Sequence, residues 1–284
     1  GALAMALAGW WPLVLAGAVA FGAGYGSLAA VFNPRILAAF GARGGAMISL
    51  LNAIVSLGAI AAPLVFLALG SEPQATFLVF AVLAAVIWLA SGRIGHDGAG
   101  AQTARGGFRL SWPILIFGVL AIGMEAALVS LGPSALIRTG VAADRAAQLL
   151  SLFYVAYLVS RTGLIFIADR VPAFTVYLVA VAVTALCAMG AVMISPAVFF
   201  PLMGAPASLC FHGFFVSATR LMGNDARVPS VIIGSGLLGA IAMPLLCAQV
   251  MGDMGDRGFF WLILFWAGAL TLGATAMLGR MTRA

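Results

Sequence analysis

The sequence predicts an all-α fold, a polytopic bundle of helices that span a membrane. Of its 284 residues, 64% are hydrophobic and 8% are charged, and the mean hydropathy is +1.16. A water-soluble protein could not cover its surface with so few polar groups. The apolar residues form runs of about 20, the length of helix that crosses a bilayer, where only helices and closed barrels satisfy their backbone. Runs of this length exclude a barrel, whose strands are shorter.

The apolar runs predict nine full spans and one partial span. The first 33 residues carry no charge but are too long for a single span, and Trp10-Trp11-Pro12 predicts a break within them. A partial helix therefore precedes a full span at 12–33, which Asn33-Pro34 is expected to end. The other spans are predicted at 44–69, 75–91, 112–137, 146–167, 173–194, 197–221, 228–250 and 258–279.

All fourteen basic residues are arginines, and eleven of them fall in every second gap between the spans. These eleven are Arg35, Arg43, Arg93, Arg105, Arg109, Arg161, Arg170, Arg220, Arg227, Arg280 and Arg283. The opposite gaps hold Arg138, Arg145 and Arg257 beside acidic residues. Because basic loops stay on the cytoplasmic side, we expect a bacterial inner (plasma) membrane protein with a cytoplasmic C-terminus. The pI near 10.0 comes from these scattered loops and not from one basic face, so no nucleic-acid partner is expected.

A polar, glycine-rich segment separates two groups of spans. Residues 92–111 form the only linker of any size, and Arg93, Arg105 and Arg109 assign it to the cytoplasmic side. Four spans, counting the partial one, precede it in residues 1–91, and six follow it in residues 112–284. We therefore expect an incomplete N-terminal half, truncated at its start, and a six-helix C-terminal half.

The residues that usually make metal or catalytic centres are sparse. Cys187, Cys210 and Cys247 each lie in a different apolar run, without the spacing of a metal site or a disulfide framework. The sequence contains no HExxH, no paired aspartates at metal spacing, and no serine with a base in reach on the same helix face. We expect no metal, no cofactor and no enzymatic activity, and we interpret the cysteines as small core residues.

Four stretches of the chain carry a family resemblance: Gly24-Tyr25-Gly26-Ser27-Leu28-Ala29-Ala30-Val31-Phe32-Asn33-Pro34, Ser56-Leu57-Gly58-Ala59-Ile60, Gly123-Met124-Glu125, and Ser160-Arg161-Thr162-Gly163 with Ala168-Asp169-Arg170. They resemble the major facilitator superfamily and, within it, the fucose permease-like sugar:proton symporters. In that order they are similar to the fourth, fifth and seventh helices and to the connection between the eighth and ninth. The likeness covers nearly the whole chain, although each motif is short.

The resemblance implies a secondary transporter that moves a small polar solute, a sugar, by alternating access, with possible coupling to protons. Residues 1–91 would be family helices 3–6, and residues 112–284 would be helices 7–12. In that family helices 1, 4, 7 and 10 line a central cavity, and the two halves rock against each other around it. The family's plan also leads us to expect a monomer in the lipid bilayer.

Glu125 is the only acidic residue deep in an apolar run, about 13 residues from Ser111 and from Arg138, and so near the middle of the bilayer. A carboxylate there costs roughly 2.5–3.5 kcal/mol, so it is expected to face a cavity or a partner. Burial favours the neutral form of a carboxyl group, which would let Glu125 bind and release a proton during transport. The structural alternative is a hydrogen-bonded side chain that joins helices and touches no solute.

Proton coupling does not follow from the resemblance itself. The family's fourth-helix acid lies four residues before its Asn-Pro, where this chain has Ala29. His212 lies centrally in the span that corresponds to helix 10, across the cavity from helix 7 in the family's plan. Its imidazole could titrate near neutral pH or bond a sugar hydroxyl, or it could be an ordinary packing residue.

Uncharged polar side chains supply further candidates for binding a polyol. Tyr154 and Tyr157 are three residues apart and share a helix face, with Gln148 two turns earlier at an offset angle. Asn52 lies mid-span and matches an amide in the family's fifth helix, and Tyr25 is a further cavity candidate. Aromatic faces and amides suit polyols, although each residue alone could be an interhelical contact.

Asp169 and Arg170, with Arg161 two turns earlier, are similar to the superfamily's cytoplasmic gating motif. The resemblance implies that their charges latch one conformation and that the contact is remade when the transporter changes state. Plain anchoring by basic loops would account for Arg170 but not for Asp169.

Three alternatives remain open at the level of the sequence. A ten-helix drug/metabolite-type carrier has about this length, but its two five-helix halves would not place the linker after the fourth span. An efflux protein of the same superfamily shares the architecture, and a non-transporting membrane receptor is the third possibility, because fold does not determine function.

Overall fold

In a computed structural model, residues 1–40, 44–92, 107–164, 166, 170–223, 225 and 227–283 of the chain are described. Ten helices and no strand lie within these ranges: α1 (Ala2–Leu7), α2 (Trp11–Phe40), α3 (Gly44–Ala68), α4 (Pro73–Ser91), α5 (Trp112–Arg138), α6 (Ala143–Leu164), α7 (Ala173–Met193), α8 (Pro196–Met222), α9 (Val228–Val250) and α10 (Gly258–Arg283). The all-α prediction is confirmed for the described residues.

The predicted break near the start of the chain is confirmed. The six-residue α1 ends at Leu7, and α2 begins at Trp11 with Pro12 in its first turn, where a helix does not need the missing N–H group. The predicted end at Asn33-Pro34 is wrong, because α2 continues through this pair to Phe40. A proline is tolerated inside a membrane helix when other groups satisfy the freed carbonyl.

Seven helices of the described residues are long and apolar enough to cross a membrane, namely α2, α4, α5, α7, α8, α9 and α10. α3 contributes a shorter apolar stretch, Ile54–Ala68. α6 carries charged residues near both ends, among them Asp144 and Arg161. The chain is therefore a helical membrane protein, and the prediction of nine full spans is confirmed for seven of them.

The chain divides into two compact units, residues 1–101 and residues 102–284. In the first unit α1 packs against α4 and α2, and α2 packs against α3. α1 crosses α2 at Gly17, where a Cβ atom would come within 2.9 Å of the Met5 side chain. Only 6% of the apolar stretches of α2 and α4 is buried, against 50% in α5, α7 and α8 of the second unit. The packed core therefore lies in the second unit.

The six helices of the second unit pair in a symmetric way. If they are divided into α5–α7 and α8–α10, the first helix of each group packs against the second helix of the other, α5 on α9 and α8 on α6. The third helices, α7 and α10, pack on each other, and each also contacts the first helix of the other group. This exchange of partners is expected of a three-helix repeat. Because three is odd, spanning helices would give the second copy an inverted orientation.

Glycines allow the helices of the second unit to approach closely. A Cβ atom on Gly239 of α9 would meet the Val119 carbonyl oxygen of α5, and one on Gly204 of α8 would meet the Phe153 carbonyl oxygen of α6. The two symmetry-related pairs, α5 with α9 and α6 with α8, therefore both use a glycine against a backbone. Lipid tails are as apolar as leucine, so close van der Waals packing at small residues is what holds such helices together.

One end of the second unit carries Arg109 and Arg227. The backbone N–H of Arg109 donates to the Met222 carbonyl at 2.9 Å, which joins the start of α5 to the end of α8. The guanidinium carbon of Arg227, before α9, lies 4.9 Å from the centroid of the Phe108 ring. These contacts bring two of the predicted cytoplasmic connections together.

The opposite end carries Arg138 and Arg257. Arg138 at the end of α5 donates to the Gly252 carbonyl at 3.4 Å, and Arg257 before α10 donates to the Val192 carbonyl near the end of α7. The arginines of alternate connections therefore lie at opposite ends of this unit, as their alternation in the sequence predicts.

Gly239→Ala should destabilise the protein by about 1–3 kcal/mol, because the added methyl group meets a backbone carbonyl that cannot rotate away. Gly268→Ala in α10 is the matched control, since nothing lies within 4 Å of its Cβ position. Thermal unfolding in detergent compares the two. An equal effect of both substitutions would contradict the packing described here.

Single cysteines at Ala142 and Arg170, in a background without native cysteines, should face opposite sides of the membrane. Ala142 lies in the connection between α5 and α6, and Arg170 lies in the connection between α6 and α7. A membrane-impermeant maleimide should label Ala142→Cys in intact cells and Arg170→Cys only after permeabilisation. Labelling of both from one side would overturn the assigned topology.

Candidate functional site

Glu125 lies at the midpoint of α5 and is partly buried. At 1.5 Å per residue it is about 20 Å from either end of the helix, which is mid-depth for a spanning helix. Its Oε1 accepts a hydrogen bond from the hydroxyl of Tyr157 on α6, at 2.9 Å. The sequence predicted that this carboxyl group must find a cavity or a partner, and Tyr157 is a partner.

Tyr157 contacts an acid and a base at once. Its hydroxyl binds Glu125, and the guanidinium carbon of Arg161, one helical turn further along α6, lies 5.0 Å from the centroid of its ring. A guanidinium over an aromatic face is attracted by the ring's quadrupole. The Tyr154 ring lies 6.1 Å away in an edge-on arrangement. The i, i+3 and i, i+4 spacings place all three α6 side chains on one face of the helix.

α8 is the third helix that contributes residues to this site. Cys210 interacts electrostatically with Glu125, and His212 interacts electrostatically with Arg161, so both residues lie near the α5–α6 contact. The Cys210 thiol donates to the Pro206 carbonyl at 3.6 Å, while His212 is partly buried. We call the set Glu125, Tyr154, Tyr157, Arg161, Cys210 and His212 the polar cluster.

Packing between α6 and α8 orients the polar cluster. The buried Phe153 ring stacks on Phe200 of α8 with centroids 5.3 Å apart. The close approach at Gly204 brings the α8 backbone against that of α6 at the same residue. Since Tyr157 follows Phe153 by one turn, these contacts turn its hydroxyl toward α5. A neighbouring bond, from the buried Tyr177 hydroxyl to the Phe117 carbonyl at 3.0 Å, joins α7 to α5 in the same core.

The structure brings together five of the residues that the sequence proposed: Glu125, Tyr154, Tyr157, Arg161 and His212. Arg161 was predicted as part of a gate, and the structure places it against Tyr157. Gln148 is exposed near the other end of α6, where its Oε1 accepts a hydrogen bond from Arg145 at 3.0 Å.

The remaining predicted residues lie elsewhere or outside what is described. Tyr25 is on α2 in the first unit, where its side chain is 64% exposed. Asn52 falls within α3, but its side chain is outside the described part of the chain, and so is the whole of Asp169. Arg170 is exposed in the turn before α7.

The interpretation of Cys210 as a small core residue is confirmed, because its side chain is fully buried in the core of the second unit. The structure adds that it lies near Glu125. Sequence reasoning missed one feature. Asp225 was overlooked: it forms an ion pair with Arg227 at 2.9 Å, and the side-chain hydrogen bonds from Arg227 hold the pKa of Asp225 below its ordinary value. The signal was available, because Asp225-Ala226-Arg227-Val228-Pro229 is similar to Asp169-Arg170-Val171-Pro172.

Within the described ranges, no three histidine, cysteine, aspartate or glutamate side chains lie together as a metal site would require. Comparison with known proteins finds no matching family model, no similar curated protein and no similar solved structure. A functional assignment therefore depends on the geometry of the polar cluster and on the arrangement of the helices around it.

Proposed function

We propose that this protein is a secondary active transporter of the major facilitator type, which carries a small polar solute across the inner membrane by alternating access. The solute in this proposal is a sugar, its movement is coupled to protons through Glu125, and the protein acts as a monomer with a cytoplasmic C-terminus. The observation that carries the proposal is a carboxyl group at mid-depth of a six-helix unit, hydrogen-bonded across two helices.

The helix pairing of the second unit supports this proposal. In transporters of this type each six-helix half consists of two three-helix repeats of opposite orientation. The exchange of partners between α5–α7 and α8–α10 is the contact pattern that such a repeat produces. A ten-helix carrier built from two five-helix halves would instead divide after α5, whereas the compact units of this chain divide between α4 and α5.

The polar cluster supports the coupling part of the proposal. An ionisable side chain at mid-depth is costly and is usually retained for transport, proton relay or ligand contact. In the family's plan α5 and α8 correspond to helices 7 and 10, which line the cavity, and these two helices carry Glu125 and His212. The hydroxyl and imidazole groups of the cluster are suited to the hydroxyl groups of a sugar.

The gating part of the proposal concerns Arg161, Asp169 and Arg170. Arg170 and the Asp225–Arg227 ion pair lie in connections that the arginine pattern assigns to the cytoplasmic side. The Asp225–Arg227 pair joins two residues of one connection and does not itself join two helices. The proposed latch is the pairing of Asp169 with Arg161 or Arg170, which would be remade when the transporter changes state.

The test is uptake by the full-length protein in liposomes, with labelled monosaccharides supplied with and without a pH gradient. Uptake of at least one sugar above the level of protein-free liposomes supports the proposal. If no solute accumulates under any gradient, the transporter proposal fails and a receptor role becomes the better interpretation.

Glu125→Gln should abolish accumulation driven by a pH gradient, because glutamine keeps the size and the hydrogen bond but exchanges no proton. Exchange of labelled for unlabelled solute at equal pH should persist. Glu72→Gln, at the exposed start of α4, is the control and should transport normally. Unchanged accumulation by Glu125→Gln would remove this residue from the coupling mechanism.

Tyr157→Phe should lower the rate of coupled uptake by roughly three- to tenfold, the effect of losing one hydrogen bond to Glu125 while the ring under Arg161 remains. Tyr177→Phe also loses a buried hydroxyl, but its partner is the Phe117 carbonyl outside the polar cluster. The control should therefore affect thermal stability more than coupling. Equal uptake by the two variants would argue against a role for the Tyr157 hydroxyl.

A further inference from the structure

The Arg161 guanidinium has no anionic partner among the described residues. The one ion pair that they form joins Arg227 to Asp225. Arg161 is partly buried and presents its guanidinium to the Tyr157 ring, with no hydrogen bond to another described side chain or carbonyl. A guanidinium that lies against a ring still has its N–H groups directed outward along its edges. Those edges can bind a planar anion such as a carboxylate through two hydrogen bonds.

Among the described residues Glu125 is the acid that interacts with Arg161, but Tyr157 lies between them. The Tyr157 hydroxyl binds the carboxyl group and its ring lies against the guanidinium, so the two charges interact electrostatically without a direct ion pair. An acid and a base that are close but separated can each bind something else, whereas a collapsed ion pair has already used its donors and acceptors.

No other described acid is available to balance this site. α8 contributes the neutral Cys210 thiol and His212, and at its far end Arg220. α9 contributes the Cys247 thiol, and α10 has no ionisable side chain from Gly258 to Gly279. α6 itself carries Tyr154 and Tyr157, which belong to the cluster, and, near its opposite end, Asp144 and Arg145. The fixed charges of the cluster are therefore those of Glu125 and Arg161.

The charge of the cluster constrains what it can carry. With Glu125 ionised and Arg161 protonated, the empty site is neutral. If a proton and an uncharged solute bind, Glu125 becomes neutral and the partly buried positive charge of Arg161 is left without a counter-charge in the cluster, which is unfavourable. If a proton and a carboxylate bind, Arg161 pairs with the carboxylate, and the loaded site is as neutral as the empty one.

We propose that the transported solute carries one carboxylate, which the Arg161 edges bind while Glu125 takes up the proton, so that acid and proton cross together without net charge. This inference rests on the proposed transport function and specifies its substrate class. The hydroxyl and imidazole groups of Tyr154 and His212 would bind the hydroxyls of the same solute, which makes a monocarboxylated sugar acid the best fit. No covalent bond forms, and the proton that Glu125 accepts on one side is released on the other.

The test uses the full-length protein in liposomes with three labelled probes: glucuronate, glucose and lactate. A pH gradient and a membrane potential set by a potassium ionophore are imposed separately. We expect a pH gradient to drive glucuronate uptake and a membrane potential to leave its initial rate unchanged. Glucose should not accumulate, because its loaded site would be charged.

Arg161→Gln should weaken glucuronate uptake roughly 10- to 100-fold, the effect of losing charge-assisted hydrogen bonds to a carboxylate. Arg161→Lys keeps the charge without the planar fork, so it should retain potential-independent uptake at lower affinity. Arg220→Gln, in the last turn of α8 and exposed, is the matched control and should transport like the unaltered protein. Elution as a single species in detergent identifies variants that remain folded.

The possible outcomes distinguish a failure of this inference from a failure of the proposed transport function. Accumulation of glucose in preference to glucuronate would overturn the carboxylate inference and leave sugar transport standing. Glucuronate uptake that responds to the membrane potential, or that survives in a folded Arg161→Gln, would also overturn it. Lactate uptake equal to that of glucuronate would support recognition of the carboxylate and would contradict recognition of a sugar. If none of the three probes moves, the proposed function itself fails.

Discussion

A carboxyl group in the middle of an apolar layer has to find its partners inside the protein, and the hydroxyl of Tyr157 is a partner of Glu125. The bond between them joins α5 to α6 at mid-depth. Since no water is available in the hydrocarbon region, leaving the acid without a partner would cost several kcal/mol. This bond therefore links α6 to α5 at mid-depth, while the packing of α6 on α8 determines which side chains α6 turns toward α5.

The rest of the second unit supports that bond through close backbone packing. Phe153 stacks on Phe200 and lies against Gly204, which fixes α6 on α8, and Gly239 allows α9 to lie equally close to α5. In lipid there is little hydrophobic drive to bring helices together, so these contacts depend on the absence of side chains at the glycines. The pairings of α6 with α8 and of α5 with α9 are exchanged when the groups α5–α7 and α8–α10 are exchanged. The close packing at the glycines therefore follows the internal symmetry of the unit.

Arginines have two different physical roles in this chain. Several of them lie in the described connections between helices or in the first or last turns of helices, where water can solvate them, and their distribution predicts an orientation of the protein in the membrane. Arg161 is partly buried and lies against the ring of Tyr157, one turn earlier on α6. The hydroxyl of the same tyrosine binds Glu125. The alternation of arginines alone assigns it to the first group, and its contact with Tyr157 adds the second role. In the mechanism that we propose, this contact lets Arg161 recognise a charged solute as well as anchor a helix.

The sequence by itself determined the helices and the one acid that matters most. The apolar runs predicted the helix positions to within a few residues, apart from the end of α2, because a bilayer requires helices of a definite length and the breaks fall at prolines, glycines and arginines. Glu125 stood out because a charge is rare at that depth. The tertiary structure decided which side chains join it: it turned Tyr157 and Arg161 toward α5, left Gln148 exposed at the other end of α6, and added Cys210. Periodicity could not decide this, because α6 carries polar residues on more than one face, and only its packing against α8 determines which face is turned inward.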